Sequence, residues 1–195
     1  MRRIKILLLS LLLAFCMAGC SEGSSVAISG SGDETAGKIS QNGSGMEVHF
    51  IDVGQGDSTL IKVGGHAMLI DAGDNSEGTA VQSYLDSQNV EKIDYAIGTH
   101  PDADHIGGDV VVYKFDCKKV FMPDVTSDTK TYDDVVQALK SKNQKAQAPK
   151  LGKTYSLGDA TFTIIAPVKD YGDDTNDWSI GILLQYGKNR FLFTG

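Results

Sequence analysis

The sequence predicts an α+β fold in which layers of β-sheet are covered by helices. Short apolar runs with the character of strands dominate the first part of the domain. Segments with a helical spacing of apolar residues are interleaved with further strand-like runs in the remainder. No internal repeat is visible. We therefore expect sheets whose faces are covered by the interleaved helices.

The first part of the domain contains three successive strands, then a helix and a fourth strand. The strands are predicted at residues 47–53, 58–63, 66–71 and 93–98. A turn at residues 54–57 separates the first two strands, and Gly64-Gly65 forms a tight hairpin turn before the third. Residues 80–85 have helical character and should pack on the sheet.

The second part of the domain adds one amphipathic helix and four strands. Residues 132–142 place Val135, Val136 and Leu139 on one side of a helix. The strands are predicted at residues 119–122, 160–166, 179–186 and 190–194. Residues 106–115 remain open, because three consecutive valines favour a strand whereas the preceding loop favours a short helix.

The N-terminus has the pattern of a bacterial export signal. Arg2, Arg3 and Lys5 precede an apolar run that is too short for a comfortable membrane span. Cys20 follows Ala-Gly, which resembles the lipobox of bacterial lipoproteins. We therefore predict a lipoprotein signal peptide at residues 1–19 and a lipid on Cys20; an uncleaved N-terminal anchor is the alternative.

The residues that follow the signal predict a tether and then one domain. Residues 20–45 are rich in Gly, Ser, Asn and acids, which is typical of a flexible linker. The ordered domain is predicted at residues 46–195. The expected location is the extracytoplasmic face of a bacterial cell membrane, held by the lipid, with secretion as the alternative. No stable protein partner is predicted.

The charge of the chain counts against a general role in nucleic-acid binding. The formal net charge of −7 becomes −10 once the three positive charges of the signal are removed. An acidic protein does not attract nucleic acid by its overall field. DNA as a substrate is still compatible, because a bound divalent ion reverses the local sign of the charge. The lysines between residues 114 and 153 form either a rim for a phosphate polymer or a solvated face.

Cysteine and isolated histidines contribute little to the predicted function. Cys117 is the one cysteine beyond Cys20, so no disulfide is expected within the domain. We expect its thiol to be buried and do not assign it to a metal. His49 and His66 fall within predicted strands and are interpreted as ordinary strand residues.

The densest group of chemically active residues follows the fourth strand. His100, Asp102, Asp104 and His105 lie within six positions and are followed by Gly107-Gly108. Imidazole and carboxylate together bind Zn²⁺, Mn²⁺ or Fe²⁺. The segment therefore predicts a metal-assisted hydrolase. The alternative is a polar loop that caps a helix, with Asp104 as the N-cap.

Three motifs resemble those of the metallo-β-lactamase superfamily, and among its members the hydrolase domain of the ComEC-type DNA-uptake competence proteins. They are the segments 52–58, 69–73 and 99–108, which follow one another in the order of the family. The resemblance covers residues 46–195. It implies an αββα sandwich and a metal-dependent hydrolase.

The resemblance also implies roles for the motif residues. His100 would bind a first metal, and Asp104 and His105 a second. Asp102 stands where the typical family has a second His, a substitution that the ComEC-type proteins share. The next family His has no counterpart here, and Asn176 in the segment 176–179 occupies its place as a possible ligand or substrate contact.

These replacements affect the expected cofactor and mechanism. Carboxylate and amide oxygens make the first position oxygen-rich, so Mn²⁺ competes better with Zn²⁺ there. One or two divalent ions are expected in all. Asp104 is expected to be catalytic, because it would bind metal and orient the attacking hydroxide. Asp71 would support the metal loop from beneath, and Gly73 would permit a tight backbone turn next to the site; a simple turn at the end of a strand is the alternative for Asp71.

The resemblance further implies that these residues form only the first part of the fold. In the family, a strand ending in Thr-Gly is followed at once by an Asp that bridges the two metals. Here Thr194-Gly195 are the last residues, so we expect a longer parent domain and an exposed sheet face.

Two functions from different classes remain. The first is hydrolysis of a phosphodiester by a metal-activated water, with extracellular DNA, a small phosphoester or a wall-linked phosphodiester as the substrate. The second is a non-catalytic cell-surface binding lipoprotein with a degenerate metal site. A β-lactam hydrolase is disfavoured, because the replaced histidines weaken the usual zinc site.

Overall fold

The computed structural model describes residues 45–108, 111 and 115–195. The predicted signal peptide, the lipid site at Cys20 and nearly all of the tether lie outside these residues. Within the described ranges, no helix has the length and apolar character that crossing a membrane requires.

A mixed five-stranded sheet forms the centre of the domain. Its strands are β1 (Met46–Phe50), β2 (Thr59–Val63), β3 (His66–Ile70), β4 (Lys92–Ile97) and β5 (Asp116–Phe121), in that spatial order. The pairs β1–β2 and β2–β3 are antiparallel, whereas β3–β4 and β4–β5 are parallel. The carboxyl ends of β3, β4 and β5 therefore lie at the same edge of the sheet.

Three α-helices are described. α1 (Gly78–Ser87) connects β3 to β4, the short α2 (Ala103–Ile106) follows β4, and α3 (Lys130–Ser141) follows β5. α3 begins two residues before the predicted helix, because the Thr129 hydroxyl accepts a hydrogen bond of 3.2 Å from the Tyr132 amide and caps its first turn. Within residues 106–115, for which the sequence allowed either a strand or a helix, Ile106 and Val111 are helical.

A second sheet of four antiparallel strands covers one face of the first. It consists of β6 (Thr154–Leu157), β7 (Ala160–Ala166), β8 (Gly181–Tyr186) and β9 (Asn189–Phe193). A short 3-10 helix, Asn176–Trp178, lies in the connection from β7 to β8. β7 coincides with its predicted range, whereas β6 was not predicted at all.

Two apolar clusters hold these layers together. Side chains along β2 and β3 alternate between them, since the side chains of a strand alternate between the two faces of its sheet. One cluster joins the first sheet to α1 and α3 and contains Leu60, Leu69, Val81, Leu85, Val135 and Leu139. The other joins the two sheets and contains Ile61, Met68, Ile97, Phe121, Phe162 and Ile182.

The layer order is thus helices, mixed sheet, antiparallel sheet, as expected for an α+β fold. In the described ranges, no helix covers the outer face of the second sheet. Leu192 of β9 is 61% exposed on that face and pairs with Leu183 of β8. The observed fold contains three of the four layers of an αββα sandwich.

A buried carboxylate, Asp94, links three parts of the first sheet. It accepts hydrogen bonds from the side chains of Lys118 and His66 and from the Ala67 amide. Burial opposes the ionised form, but these donors prevail and hold the Asp94 pKa below its usual range.

Replacing Asp94 by asparagine is expected to lower the free energy of unfolding by about 1–3 kcal/mol at pH 7, because charged hydrogen bonds are lost at a buried position. A carboxyl group whose pKa is lower in the folded state stabilises the fold above its unfolded pKa, and this contribution disappears as the pH falls through the folded pKa. The difference between wild type and Asp94→Asn in urea unfolding should therefore shrink from pH 7 to pH 3.

The exposed Asp159 provides the control, since Asp159→Asn should change stability by less than about 0.5 kcal/mol. A difference at Asp94 that grows on acidification would contradict the assigned ionised state.

Cys117 is buried in the first apolar cluster with 1% exposure, as predicted. Burial raises the pKa of its thiol to about 11. Because the thiolate is the reactive form, native protein at pH 7.5 should leave Cys117 unmodified by iodoacetamide, whereas guanidinium-unfolded protein should be modified fully. Peptide mapping by mass spectrometry measures both. Equal modification in the two states would show that the thiol is accessible.

Candidate metal site

The predicted site residues lie at the carboxyl edge of the first sheet. Ile70 of β3 and Ile97 of β4 are in register, so Asp71 and the segment 99–105 emerge side by side. The connection before β8 reaches the same edge, where the Ile180 amide donates a hydrogen bond of 2.9 Å to the Thr99 carbonyl. Both sheets therefore contribute to this site.

Asp71 forms the floor of the site. It is 3% exposed and has a left-handed φ of 54°, which ends β3 one residue before the predicted boundary. Its carboxylate accepts hydrogen bonds from the Thr99 amide and hydroxyl, both 2.7 Å, and from Nδ1 of His105 at 2.9 Å. Burial raises the Asp71 pKa, and these three donors oppose that rise.

The contact with Asp71 assigns the tautomer of His105. Burial lowers the His105 pKa, but the hydrogen bond and negative charge of Asp71 outweigh it and raise the pKa overall. In the neutral ring, the proton lies on Nδ1 and the lone pair on Nε2. This is how a carboxylate beneath a metal-binding histidine prepares the outer nitrogen as a ligand.

Two hydroxyl groups assign the tautomer of His100. Nδ1 of His100 lies 3.1 Å from the Thr99 hydroxyl and 3.2 Å from the Ser179 hydroxyl. The Thr99 proton is donated to Asp71, and the Ser179 proton to the Asn176 carbonyl at 2.7 Å. Since both hydroxyls must accept from the ring, the proton lies on Nδ1 and the lone pair on Nε2.

Nε2 of His100 is buried and has no hydrogen-bond partner among the described residues. Burial lowers the His100 pKa, and the neighbouring His105 lowers it further, so the ring is neutral at pH 7. The two ring centroids are 4.0 Å apart. An unpartnered buried lone pair is costly, and a bound cation would satisfy it.

Asp102 faces this lone pair. Its Oδ2 lies 3.7 Å from Nε2 of His100, and its Oδ1 accepts a hydrogen bond of 2.7 Å from the Thr175 hydroxyl. Two atoms that bind one ion at a tetrahedral angle, each about 2.0–2.2 Å from it, are about 3.4 Å apart. The donor set and this spacing fit a divalent cation.

Asp102, not Asp104, is the N-cap residue of α2, although its side chain forms no capping hydrogen bond. The alternative interpretation of Asp104 as N-cap is therefore wrong. The reason is that the helix begins at Ala103, which places Asp104 inside its first turn.

The turn from β1 to β2 packs directly against Asp104. Gln55 donates a hydrogen bond of 3.2 Å to the Asp104 carboxylate, which lowers the Asp104 pKa and keeps it ionised. A Cβ atom at Gly56, which has a φ of 93°, would lie 1.8 Å from the Asp104 carbonyl oxygen. Only glycine permits this approach, so the first motif supports the third.

Sequence reasoning missed Gln55 and Thr175 as contacts of the site. Gln55 lies between two glycines in the first motif, and that position was the available signal. Thr175 adjoins Asn176, so the segment was identified but not the residue.

Not every predicted site residue converges. In the described ranges, no group of three or more His, Cys, Asp or Glu side chains is arranged as a metal site. His100 and Asp102 face each other, whereas Asp104 is held by Gln55 and His105 by Asp71.

Two further predicted residues have other contacts. Asn176 is exposed, and its carbonyl and amide bond to Ser179 and Asp174; the described residues include no hydrogen-bond partner of its side chain. Gly73 has a φ of 67°, and its amide donates to the Asp57 carbonyl at 3.0 Å in the turn beyond Asp71.

Comparison with known proteins decides the family of this fold and site. The model of the Metallo-beta-lactamase superfamily matches residues 51–195. The chain belongs to this superfamily. The resemblance deduced from the three motifs is thereby confirmed. The superfamily includes metal-dependent hydrolases, and its fold usually binds divalent ions, often zinc.

A curated relative and two solved metallo-beta-lactamases extend this comparison. ComE operon protein 3 of Bacillus subtilis (strain 168) is 24% identical over 168 residues, which cover 76% of this chain and 22% of that protein. The HARLDQ-motif metallo-beta-lactamase of Cronobacter sakazakii superposes with a TM-score of 0.53 at 13% identity, covering 75% of this chain and 58% of that one. SMB-1 superposes with a TM-score of 0.56 at 16% identity, covering 75% and 60%.

The chain thus spans about a fifth of this relative and about three-fifths of the two solved metallo-beta-lactamases. The structural matches establish the α+β superfamily fold.

Proposed function

We propose that this metallo-beta-lactamase superfamily chain is a metal-dependent phosphodiesterase. The observation that carries the proposal is the buried, unpartnered Nε2 of His100, which faces the Asp102 carboxylate at 3.7 Å. The hydroxyl groups of Thr99 and Ser179 accept from Nδ1, which leaves a lone pair on Nε2. A ring nitrogen with a free lone pair and a carboxylate oxygen at this distance are suited to binding one cation.

The described side chains divide into two candidate ligand pairs. His100 and Asp102 would hold one divalent ion, and Asp104 and His105 a second. The side-chain amide of Asn176 belongs to the connection that contacts His100 and Asp102, and it would bind the ion or the substrate. Because oxygen donors predominate, we expect Mn²⁺ to compete with Zn²⁺ at the first position.

The proposed reaction is hydrolysis. The bound ion supplies Lewis acidity that makes water nucleophilic at neutral pH. Asp104, kept ionised by Gln55, would help to hold the second ion and orient the attacking water, which loses its proton to solvent. The oxygen of the water bonds to phosphorus as the bond from phosphorus to the leaving oxygen breaks. The leaving oxygen takes up a proton from solvent, so that a phosphomonoester and an alcohol result. Asp71 positions His105 throughout.

The proposed substrate is an extracytoplasmic phosphodiester, with DNA as the favoured candidate. Similarity to ComE operon protein 3 supports a role connected with competence. The predicted signal and lipid on Cys20 would place the domain at the outer face of the membrane. The test is the variant Cys20→Ser. It should no longer incorporate tritiated palmitate and should no longer be found in the membrane fraction.

A non-catalytic binding lipoprotein is the second candidate function. It is favoured by one observation, namely that the described residues contain no metal-site arrangement of three or more acidic, His or Cys side chains. Such a protein would keep the fold and lose the chemistry.

One experiment separates the two functions. Full-length protein is stripped with a chelator, reloaded with Mn²⁺ or Zn²⁺, and analysed for bound ion and for hydrolysis of bis-p-nitrophenyl phosphate. The phosphodiesterase proposal expects bound ion and turnover that disappears again on chelation. Absence of both bound ion and metal-dependent turnover would leave the binding lipoprotein as the function.

A further inference from the structure

The connection between β7 and β8, residues 167–180, carries an aromatic pair beside the candidate site. The rings of Tyr171 and Trp178 meet edge to face, with centroids 6.5 Å apart at an angle of 74°. Nζ of Lys169 lies 4.9 Å from the centroid of Tyr171. The phosphodiesterase chemistry proposed above uses none of these three residues.

The same connection is fixed to the candidate metal ligands on both sides of Trp178. Thr175 donates to Asp102 at 2.7 Å, and Ser179 accepts from His100 at 3.2 Å. Trp178 is the chain neighbour of Ser179, and successive Cα atoms are about 3.8 Å apart. The backbone of Trp178 is therefore held next to the candidate ligands, at what is here called the rim of the site.

The indole of Trp178 is prepared for contact through its ring rather than its polar edge. Nε1 donates a hydrogen bond of 2.9 Å to the Gly172 carbonyl within the same connection. Tyr171 and Trp178 are both half-buried residues, and the polar edge of the indole is already satisfied. The rest of the indole is aromatic surface, which can stack against another planar group.

The charge of the connection limits what can lie along it. Its carboxylates are Asp170, Asp173, Asp174 and Asp177, against one lysine, Lys169. A row of phosphates would be repelled here, whereas an uncharged base would not. The connection therefore suits an uncharged base beside the reacting phosphate, and the phosphates of a nucleotide chain would have to run elsewhere.

We propose that Trp178, supported by Tyr171, is the stacking surface for the base of a nucleotide phosphodiester and gives the site its preference for nucleotides over other phosphodiesters. The inference rests on the phosphodiesterase function proposed above and names its substrate class. Trp178 is a specificity-determining residue with no part in the chemical step.

The test compares esters that share one leaving group. Metal-loaded full-length protein is given the p-nitrophenyl esters of thymidine 5′-monophosphate, of methyl phosphate and of phosphorylcholine. The thymidine ester should have the highest kcat/KM. In Trp178→Ala, the ratio of kcat/KM for the thymidine ester over the methyl ester should fall about tenfold, through KM, because a base–aromatic stack is lost. Trp178→Phe should keep most of the ratio.

Val168→Ala provides the matched control, since it alters an exposed residue of the same connection and retains both rings. Its ratio should equal that of wild type. A preference for the methyl or choline ester, or an unchanged ratio in Trp178→Ala, would overturn the stacking proposal.

A binding measurement keeps the inference separate from the catalytic one. Trp178 is the only tryptophan of the chain, so its fluorescence reports this rim alone. Saturable quenching by thymidine 5′-monophosphate, stronger than by methyl phosphate, is expected whether or not the p-nitrophenyl esters are hydrolysed. Hydrolysis without quenching would overturn the stacking surface, and quenching without hydrolysis would overturn the phosphodiesterase function.

Discussion

Replacement of His100 by alanine should abolish metal-dependent hydrolysis and remove bound ion from the protein. The lost Nε2 is the buried lone pair that faces Asp102. Since removing a residue that merely supports a ligand costs about 10–100-fold in affinity or activity, loss of a direct ligand should exceed about 100-fold. Ion content by mass spectrometry and turnover of bis-p-nitrophenyl phosphate measure the two effects.

His49→Ala is the matched control for this prediction. His49 lies on β1, where its ring bonds to Tyr84 and Glu47 rather than to the site. The control should retain its ion and its turnover. A His100→Ala protein that is folded by circular dichroism and still binds a full complement of ion would refute the assignment of His100 as a ligand.

Replacement of Asp71 by asparagine should lower metal affinity and turnover by about 10–100-fold without changing any candidate ligand. Asparagine tolerates the left-handed backbone at this position. If its oxygen continues to accept from the Thr99 amide, its NH₂ group faces the Thr99 hydroxyl and His105. The His105 proton then moves to Nε2, where it blocks metal binding, as in catalytic triads with the same substitution.

The tautomer distinguishes this effect from simple destabilisation. Imidazole ¹⁵N NMR should show the His105 proton on Nδ1 in wild type and on Nε2 in Asp71→Asn. Urea unfolding should show a loss of about 1–3 kcal/mol, since buried donors lose their acceptor. An unchanged tautomer together with reduced affinity would mean that Asp71 acts only through stability. Asp159→Asn again provides the surface control.

The elements that were predictable are those whose local pattern agrees with their place in the fold. β7 was predicted to the residue because its alternating apolar side chains pack between the sheets. β6 was missed because Thr154–Leu157 is mostly polar and half-exposed, so that its extended form depends on pairing with β7. That pairing has no signature within the segment itself.

The site shows the same division. The motif around His100 was visible because its residues are adjacent in sequence. The residues that hydrogen-bond to its carboxylates come from elsewhere: Gln55 lies 49 positions before Asp104, and Thr175 lies 73 positions after Asp102. The segment around Asn176 lies next to this motif, but the hydrogen bonds to the motif come from Thr175 and Ser179. Such contacts depend on how the two sheets pack, which no local pattern specifies.

The three hydrogen bonds by which Thr175, Ser179 and Ile180 reach the loop after β4 have a mechanical consequence. Through these hydrogen bonds, the prospective ligands help to hold the second sheet against the first. The affinity for a cation and the packing of the two sheets are then thermodynamically linked, so that a change that weakens the packing also lowers the affinity. A protein whose second sheet has begun to separate from the first would keep every candidate ligand atom and still have a lower affinity for the cation.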